Sequence, residues 1–145
     1  MANVTISRRF DFSSSHRYYR DDWTEAENTR VFGLCALPNG HGHNYTLEVA
    51  VGGDPDPDTG MVINLVDLKS AVDGVLVRFD HKHLNLDTPY FTDRIPTTEN
   101  LATVLWELIV KSLARLPASL AGWRLTRIRL YETEEIFVEY YGEAA

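Results

Sequence analysis

The chain has 145 residues, of which 44% are hydrophobic and 24% charged, the composition of an ordinary globular domain. Its formal net charge of −7 argues against nucleic acid as the main partner, because phosphate contacts need clustered Lys and Arg. No stretch approaches the roughly 18–20 apolar residues of a membrane span, and the alternating start is not typical of a secretory signal. The single cysteine, Cys35, excludes an internal disulfide. We therefore expect one cytoplasmic domain over residues 1–145, without nucleic-acid or membrane partners.

The first third of the chain predicts two β-strands. Residues 4–12 and 43–51 each alternate apolar and polar side chains, the pattern of a half-buried strand. Between them, Thr24 and Glu27 have the spacing of a capping box for a short helix. The Gly-rich residues 33–42 that follow are predicted to form a loop.

Two longer helices are predicted in the middle of the chain. The first begins after Asn64, a favoured N-cap residue, and has apolar residues at helical spacing. The second has apolar positions from Leu101 to Leu116 and ends at Pro117. Between the helices, residues 80–98 are irregular but rich in His, Leu and aromatics. Long irregular loops in small domains are usually either functional or disordered, and this composition favours a functional loop.

The chain closes with two more predicted strands, over residues 123–132 and 136–141. The order of the main elements is therefore ββααββ. Two strand pairs and two one-faced helices predict an α+β fold, with a four-stranded antiparallel sheet and both helices on one side of it.

Three of the five histidines are expected to converge in this arrangement. His41 and His43 open the second strand, and residues two apart on a strand point to the same face. His16 lies just past the first strand, so antiparallel pairing of the two strands brings all three imidazoles together. Three nitrogen ligands without a fourth protein ligand are typical of catalytic zinc, although imidazole also suits iron, copper and nickel. The alternative is a closed structural centre with Cys35 as fourth ligand.

Other residues are candidates for chemistry, each with a simpler interpretation. Cys35 is either a small buried side chain or a thiol acidified by a nearby cation, which would make it a usable base. Glu132 is either an exposed strand end or an anchor for a ligand with two adjacent N–H donors. Asp80 and His81 have the chemistry of an acid/base pair, but sequence neighbours usually point apart.

Six segments carry a resemblance to a known family, in the family's order and over nearly the whole chain. They are SSSHR (13–17), CALPNGHGHNY (35–45), DPDTGMVINLVDLK (56–69), FDHKHLN (79–85), TTENLA (97–102) and YETEE (131–135). Together they resemble the 6-pyruvoyltetrahydropterin synthase and 6-carboxytetrahydropterin synthase family. The most specific segment is the second, whose Cys-to-His spacing is that of the pyruvoyl enzymes. The resemblance implies the tunnelling fold (T-fold), in which the subunit sheets join into a trimeric barrel and two trimers stack into a homohexamer.

The resemblance also implies roles for individual residues, in a pocket that lies between subunits. The zinc ligands, one zinc per subunit, would be His16, His41 and His43. The catalytic residues would be Cys35 as proton acceptor, Asp80 and His81 as its relay partners, and Glu132. The residues that bind the pterin would be Glu132, Thr98 and Glu99. The implied substrate is 7,8-dihydroneopterin triphosphate, with Mg²⁺ assisting loss of the triphosphate.

Three functions follow from the resemblance. The first is a lyase that forms 6-pyruvoyltetrahydropterin, as in tetrahydrobiopterin synthesis. The second is the 6-carboxytetrahydropterin synthase of queuosine biosynthesis, which acts on the same substrate and releases acetaldehyde and triphosphate. The third is a catalytically silent protein that binds a pterin and a metal. The combination of Cys35, Asp80, His81 and Glu132 disfavours the third function, because a silent protein would not need a base and its relay.

Overall fold

The computed structural model describes residues 4–117 and 122–143, and its long elements follow the predicted ββααββ order. The elements are β1 (Val4–His16), α1 (Glu25–Phe32), β2 (His41–Gly53), α2 (Leu65–Leu76), β3 (Lys82–His83), α3 (Leu84–Asp87), α4 (Thr98–Leu113), β4 (Arg124–Tyr131) and β5 (Phe137–Tyr140). A short 3-10 helix over Gly33–Ala36 interrupts the predicted loop before β2. Within the described ranges, no helix has the length and apolar character that crossing a membrane requires.

The strands form one sheet in the order β3-β1-β2-β4-β5. β1 and β2 pair antiparallel along their whole length, from Val4 opposite Gly53 to His16 opposite His41. β4 and β5 extend the sheet antiparallel, as expected. The sheet also has a fifth strand that the four-strand prediction did not include. β3 is only two residues long and pairs parallel to the end of β1, so it has too few residues to show an alternating pattern.

The hydrophobic core lies between one face of this sheet and the two long helices, which confirms the α+β prediction. Alternate β1 residues such as Phe10 and Phe12 enter the core, as do alternate residues of β2 and β4. The buried positions of α2 are Leu68, Ala71, Val72, Val75 and Leu76. The Ser112 hydroxyl of α4 donates a hydrogen bond to the Ala71 carbonyl of α2 (2.8 Å) and links the two helices.

Several element boundaries differ from the prediction. β1 continues past residue 12 to His16, because the polar Ser14 is buried and its hydroxyl donates to the Phe79 carbonyl (2.7 Å). β2 begins at His41 rather than at residue 43. α4 begins at Thr98, since the Thr97 hydroxyl accepts a hydrogen bond from the Asn100 N–H (3.1 Å) and caps the helix. These extensions place the candidate residues inside regular elements, where their orientation is fixed.

Candidate metal and ligand site

The pairing of β1 with β2 brings the three predicted histidines together. His16 lies opposite His41, and His43 lies opposite Ser14, so all three side chains share the core face of the sheet. One nitrogen from each imidazole lies within 4.8 Å of the other two. His16 Nε2 and His41 Nε2 are 3.2 Å apart. The end of the β1–β2 ladder therefore forms a three-nitrogen cluster.

His16 is held in the orientation that a metal ligand needs. Its Nδ1 lies 3.0 Å from the Pro96 carbonyl oxygen. Since a carbonyl only accepts, Nδ1 carries the proton and Nε2 is left with a free lone pair directed into the cluster. Burial, followed by the neighbouring His43 and His41, lowers the pKa of His16 to about 4. The imidazole is therefore neutral at physiological pH, which is the form that binds metals.

The surroundings of His43 Nε2 indicate whether these residues fit a cation. Its Nε2 is buried and makes no well-oriented hydrogen bond among the described residues, although Glu132 Oε1 lies 3.2 Å away. Burial lowers the pKa of His43, and the adjacent Glu132 carboxylate partly opposes that effect. A buried nitrogen without a well-oriented hydrogen bond costs free energy unless a ligand occupies its lone pair. The cluster of three imidazoles therefore fits a metal ion, and these side chains can hold one.

Glu132 lies one residue past the end of β4, yet its side chain is only 16% exposed and faces the histidines. Its Oε1 is 3.2 Å from His43 Nε2 and 3.7 Å from His16 Nε2. The Glu132 N–H donates to the Ile136 carbonyl (3.0 Å), which holds the β4–β5 turn in place. A carboxylate at this position places a negative charge at the edge of the three-nitrogen cluster.

Cys35 lies near the same carboxylate, in the 3-10 helix before β2. Its carbonyl accepts a hydrogen bond from the Tyr18 N–H (2.8 Å), which ties this segment to the residues that follow β1. Burial, and then the charge of Glu132, raise the pKa of the Cys35 thiol. Burial and then the Glu132 charge thus make the chain's own groups favour the neutral thiol. Acidification of Cys35 by a nearby cation stays a prediction.

Thr98 and Glu99 occupy the first turn of α4, directly after the Pro96 carbonyl that contacts His16. Thr98 is only 3% exposed, and its hydroxyl oxygen is buried. Burial, and then the charges of Glu132 and Cys35, raise the pKa of Tyr18; the Thr98 side chain opposes that effect and Glu99 adds to it. The N-terminus of α4 therefore lies beside the same group of residues.

Asp80 and His81 form a pair, although they are adjacent in sequence. His81 Nδ1 lies 3.0 Å from Asp80 Oδ2, and Asp80 Oδ1 accepts a hydrogen bond from the Ser13 N–H (2.9 Å). The His81 side chain is 83% exposed and the Asp80 side chain 43%, and both lie at the edge of the sheet next to β1. In the part of the chain that the structure describes, no hydrogen bond or ion pair joins them to Cys35 or Glu132. They are therefore an exposed pair at the sheet edge, separate from the cluster within one chain.

Two aromatic residues of the site were not predicted from the sequence. Tyr45 is fully buried, and its hydroxyl lies 3.2 Å from His16 Nδ1. Its position could have been inferred, since it continues the alternation of His41 and His43 on β2. Tyr18 packs its ring against that of His16, with 4.7 Å between the ring centroids. No periodic pattern marks Tyr18, because it follows the end of β1.

Comparison with known proteins agrees with this geometry. The model of the family "6-pyruvoyl tetrahydropterin synthase" matches residues 5–143. The 6-pyruvoyl tetrahydrobiopterin synthase of Homo sapiens is 45% identical over 139 residues, which cover 95% of this chain and 91% of that protein. The solved structure of Caenorhabditis elegans 6-pyruvoyl tetrahydropterin synthase superposes with a TM-score of 0.88 at 36% identity, covering 99% of this chain and 98% of that one.

A more distant relative bears the name of the alternative activity. The 6-carboxy-5,6,7,8-tetrahydropterin synthase of Aquifex aeolicus is 28% identical over 160 aligned residues, covering 95% of this chain and 98% of that protein. The family match over nearly all described residues, together with the 45% identity, leads to one conclusion. The chain belongs to the 6-pyruvoyl tetrahydropterin synthase family.

Proposed function

We propose that the chain is a 6-pyruvoyltetrahydropterin synthase, a carbon–oxygen lyase that acts on a phosphate ester. It converts 7,8-dihydroneopterin triphosphate to 6-pyruvoyltetrahydropterin and releases triphosphate. The observation that carries the proposal is the approach of the Glu132 carboxylate to the three-histidine cluster, with Cys35 nearby. The 45% identity to a synthase of this name supports it.

Glu132 is the proposed anchor for the pterin ring. A pterin presents two adjacent N–H donors, the 2-amino group and the ring N3–H, and one carboxylate can accept from both. Such charge-assisted hydrogen bonds are stronger than neutral ones. Thr98 and Glu99, at the start of α4, complete the proposed binding wall.

Zinc is the proposed metal, because three imidazoles with an open fourth position are typical of its catalytic sites. When bound, the metal supplies positive charge that stabilises negative charge on the substrate side-chain oxygens and favours ionisation of nearby acids. The chain's own part is to present three lone pairs in one place, with the His16 ring fixed by Pro96. Mg²⁺ is the proposed companion of the triphosphate group.

Cys35 is the proposed base that removes a proton from the carbon next to a side-chain hydroxyl. The raised pKa of the thiol means that the chain's own groups favour the neutral form and that ionisation depends on added positive charge. Asp80 and His81 are proposed to pass the proton on. Their exposure at a sheet edge supports a role in the site of a neighbouring subunit. A free thiol base also needs a reducing compartment, so we propose that the enzyme works in the cytoplasm.

The test is to incubate the protein with 7,8-dihydroneopterin triphosphate, zinc and Mg²⁺ and to identify the products by mass. A product that keeps all side-chain carbons, together with free triphosphate, supports the proposal. Release of acetaldehyde would instead assign the 6-carboxy activity. Unchanged substrate, under conditions in which the protein binds a pterin, would assign the silent binding function. The Cys35→Ala variant is the control, and we expect it to lose roughly 10²- to 10⁴-fold in turnover, the range for a general base.

A further inference from the structure

His81 has a strained backbone conformation. Its φ angle is 61°, in the left-handed region, and within residues 4–117 and 122–143 no other residue except glycine has a positive φ. This conformation brings a side chain too close to the backbone, so it persists only where surrounding contacts hold it. A residue chosen for stability alone would be glycine or asparagine at this position. The contacts of His81 therefore indicate what the strained conformation achieves.

Strand β1 holds this turn through the backbone of Ser13. The His81 N–H donates to the Ser13 carbonyl (2.6 Å), and the Ser13 N–H donates to Asp80 Oδ1 (2.9 Å). Neighbouring side chains on an extended strand point to opposite sides. At this left-handed turn, by contrast, His81 Nδ1 lies 3.0 Å from Asp80 Oδ2. The turn thus places two sequence neighbours in contact, in a single chain.

The contact with Asp80 determines which nitrogen of His81 is available. The hydrogen bond from the Ser13 N–H is the largest cause of a lowered pKa for Asp80, so this carboxyl is ionised at physiological pH and only accepts hydrogen bonds. A neutral His81 ring therefore carries its proton on Nδ1 and its lone pair on Nε2. No hydrogen bond or ion pair found among the described residues uses Nε2, and the side chain is 83% exposed. Nε2 is thus open to a group from outside its own chain.

We propose that Ser13 and Asp80 are positioning residues, which hold His81 in its left-handed conformation so that Nε2, and not Nδ1, accepts the proton in the relay. This inference rests on the proposed function. The proton that the Cys35 thiolate removes from the substrate carbon passes from the thiol to the lone pair of Nε2. The ring becomes an imidazolium beside the Asp80 carboxylate, and its exposure lets it release the proton to water.

The strain is tested by comparing His81→Gly with His81→Ala in zinc-loaded protein. Glycine adopts a positive φ without a steric penalty, so we expect His81→Gly to unfold about 2–4 °C above His81→Ala by calorimetry. Val77 provides the matched control, because it is exposed and has a φ of −59°. There the order should reverse, with Val77→Ala above Val77→Gly. A His81→Gly protein that unfolds below His81→Ala would overturn the proposed strain.

The orientation of the ring is tested by ¹⁵N NMR of histidine-labelled protein at pH 8, where an ordinary imidazole is neutral. The His81 signals are those that His81→Gly lacks. We expect the proton on Nδ1 in wild type and on Nε2 in Asp80→Ala. Asp87→Ala is the control, since the Asp87 carboxylate accepts from the backbone N–H of His83 (2.8 Å), and it should leave the His81 signals unchanged. A wild-type His81 with its proton on Nε2 would overturn the assignment.

Turnover of 7,8-dihydroneopterin triphosphate links the conformation to the reaction. His81→Gly should lose roughly 10²- to 10⁴-fold in turnover, the range for an acid–base group, although it is the more stable of the two His81 variants. Wild-type turnover in His81→Gly would show that the strained conformation does not serve the reaction. Absence of turnover in wild type would contradict the proposed function instead, and the calorimetry and NMR results would still decide whether the turn is strained and which nitrogen is free.

Discussion

The two ring nitrogens of His16 contact two different parts of the chain. Nε2 belongs to the cluster with His41, and Nδ1 is held by the carbonyl of Pro96, which lies 80 residues away in sequence. The ring therefore links the end of β1 to the segment that begins α4. A metal ligand fixed in this way has its lone pair oriented before the ion arrives.

We expect His43→Ala to remove the metal. Wild type should hold about one zinc per chain, as a three-ligand site implies, and the loss of one ligand leaves too few. Elemental analysis of the purified proteins measures this. His83→Asn is the matched control, because His83 is close enough to lower the pKa of His16 but is not part of the cluster. Unchanged zinc in His43→Ala, or equal losses in both variants, would show that the site is wrongly assigned.

The reactivity of Cys35 should depend on pH in a way set by Glu132. Because the thiolate is the reactive form and burial and Glu132 raise the thiol's pKa, alkylation by iodoacetamide should be slow at pH 7 in metal-stripped protein. The rate should rise with pH, with a midpoint above the ordinary thiol value. Glu132→Gln removes the negative charge, lowers the thiol pKa and should shift the profile to lower pH.

Glu99→Gln is the control for that shift, since Glu99 is not among the causes of the raised thiol pKa. Identical profiles for wild type and Glu132→Gln would contradict the electrostatic link.

The types and spacing of the site residues were readable from the sequence, because alternation along β2 fixes the face of His41 and His43. The raised pKa of the Cys35 thiol was not readable, because it depends on burial and then on the Glu132 charge, and tertiary folding determines both.

At the scale of elements, the N-terminus of α4 connects helix stability to the site. Thr97 caps this helix, just as Asn64 caps α2 by accepting from the Val66 N–H (2.9 Å). Pro96, which holds His16, directly precedes Thr97. A local distortion of this cap would therefore move His16 within the three-nitrogen cluster, whereas a distortion at Asn64 would not.

We expect Thr97→Ala and Asn64→Ala each to lower the free energy of unfolding by about 1 kcal/mol, the usual contribution of a cap side chain. Urea unfolding measures both. Only Thr97→Ala should also weaken binding of zinc and biopterin. If the two variants have equal effects on ligand binding, the cap of α4 has no special connection to the site.

The elements differ in how far their sequences specify them. The cap at Asn64 and the apolar spacing after it predicted the start of α2 correctly. The end of β1 was placed too early, because serines 13–15 show no hydrophobic alternation and are fixed by contacts such as that of Ser14 with Phe79. β3 was not predictable, since a two-residue parallel strand has no pattern and depends on where the loop returns.

For the whole molecule, the open edges of the sheet are the main feature. One edge is β5 and the other is β1 with the very short β3. Phe137 on β5 is 45% exposed, and unpaired edges with apolar side chains favour pairing with other chains. The family resemblance implies that three such sheets close into a barrel.

Light scattering at micromolar concentration should therefore give a trimer or hexamer, and a monomer would contradict this prediction. A charge on an edge strand disfavours pairing, so Phe137→Lys should shift the protein toward smaller species. Val77→Lys is the control, because Val77 is 68% exposed but lies at the C-cap of α2 and not on a strand. That variant should keep the wild-type mass.

The residue-by-residue pairing of β1 with β2 also limits how the gene can change in length. One extra codon between those for Phe12 and His16 would turn the His16 side chain to the opposite face of the sheet, since orientation alternates at every residue. Two extra codons would restore the face but move the imidazole along the ladder. In the turn over residues 54–60, which lies outside the strands, the same insertion would leave the pairing intact. Length variation within this gene is therefore expected in the acidic turn and not in the strands that carry the histidines.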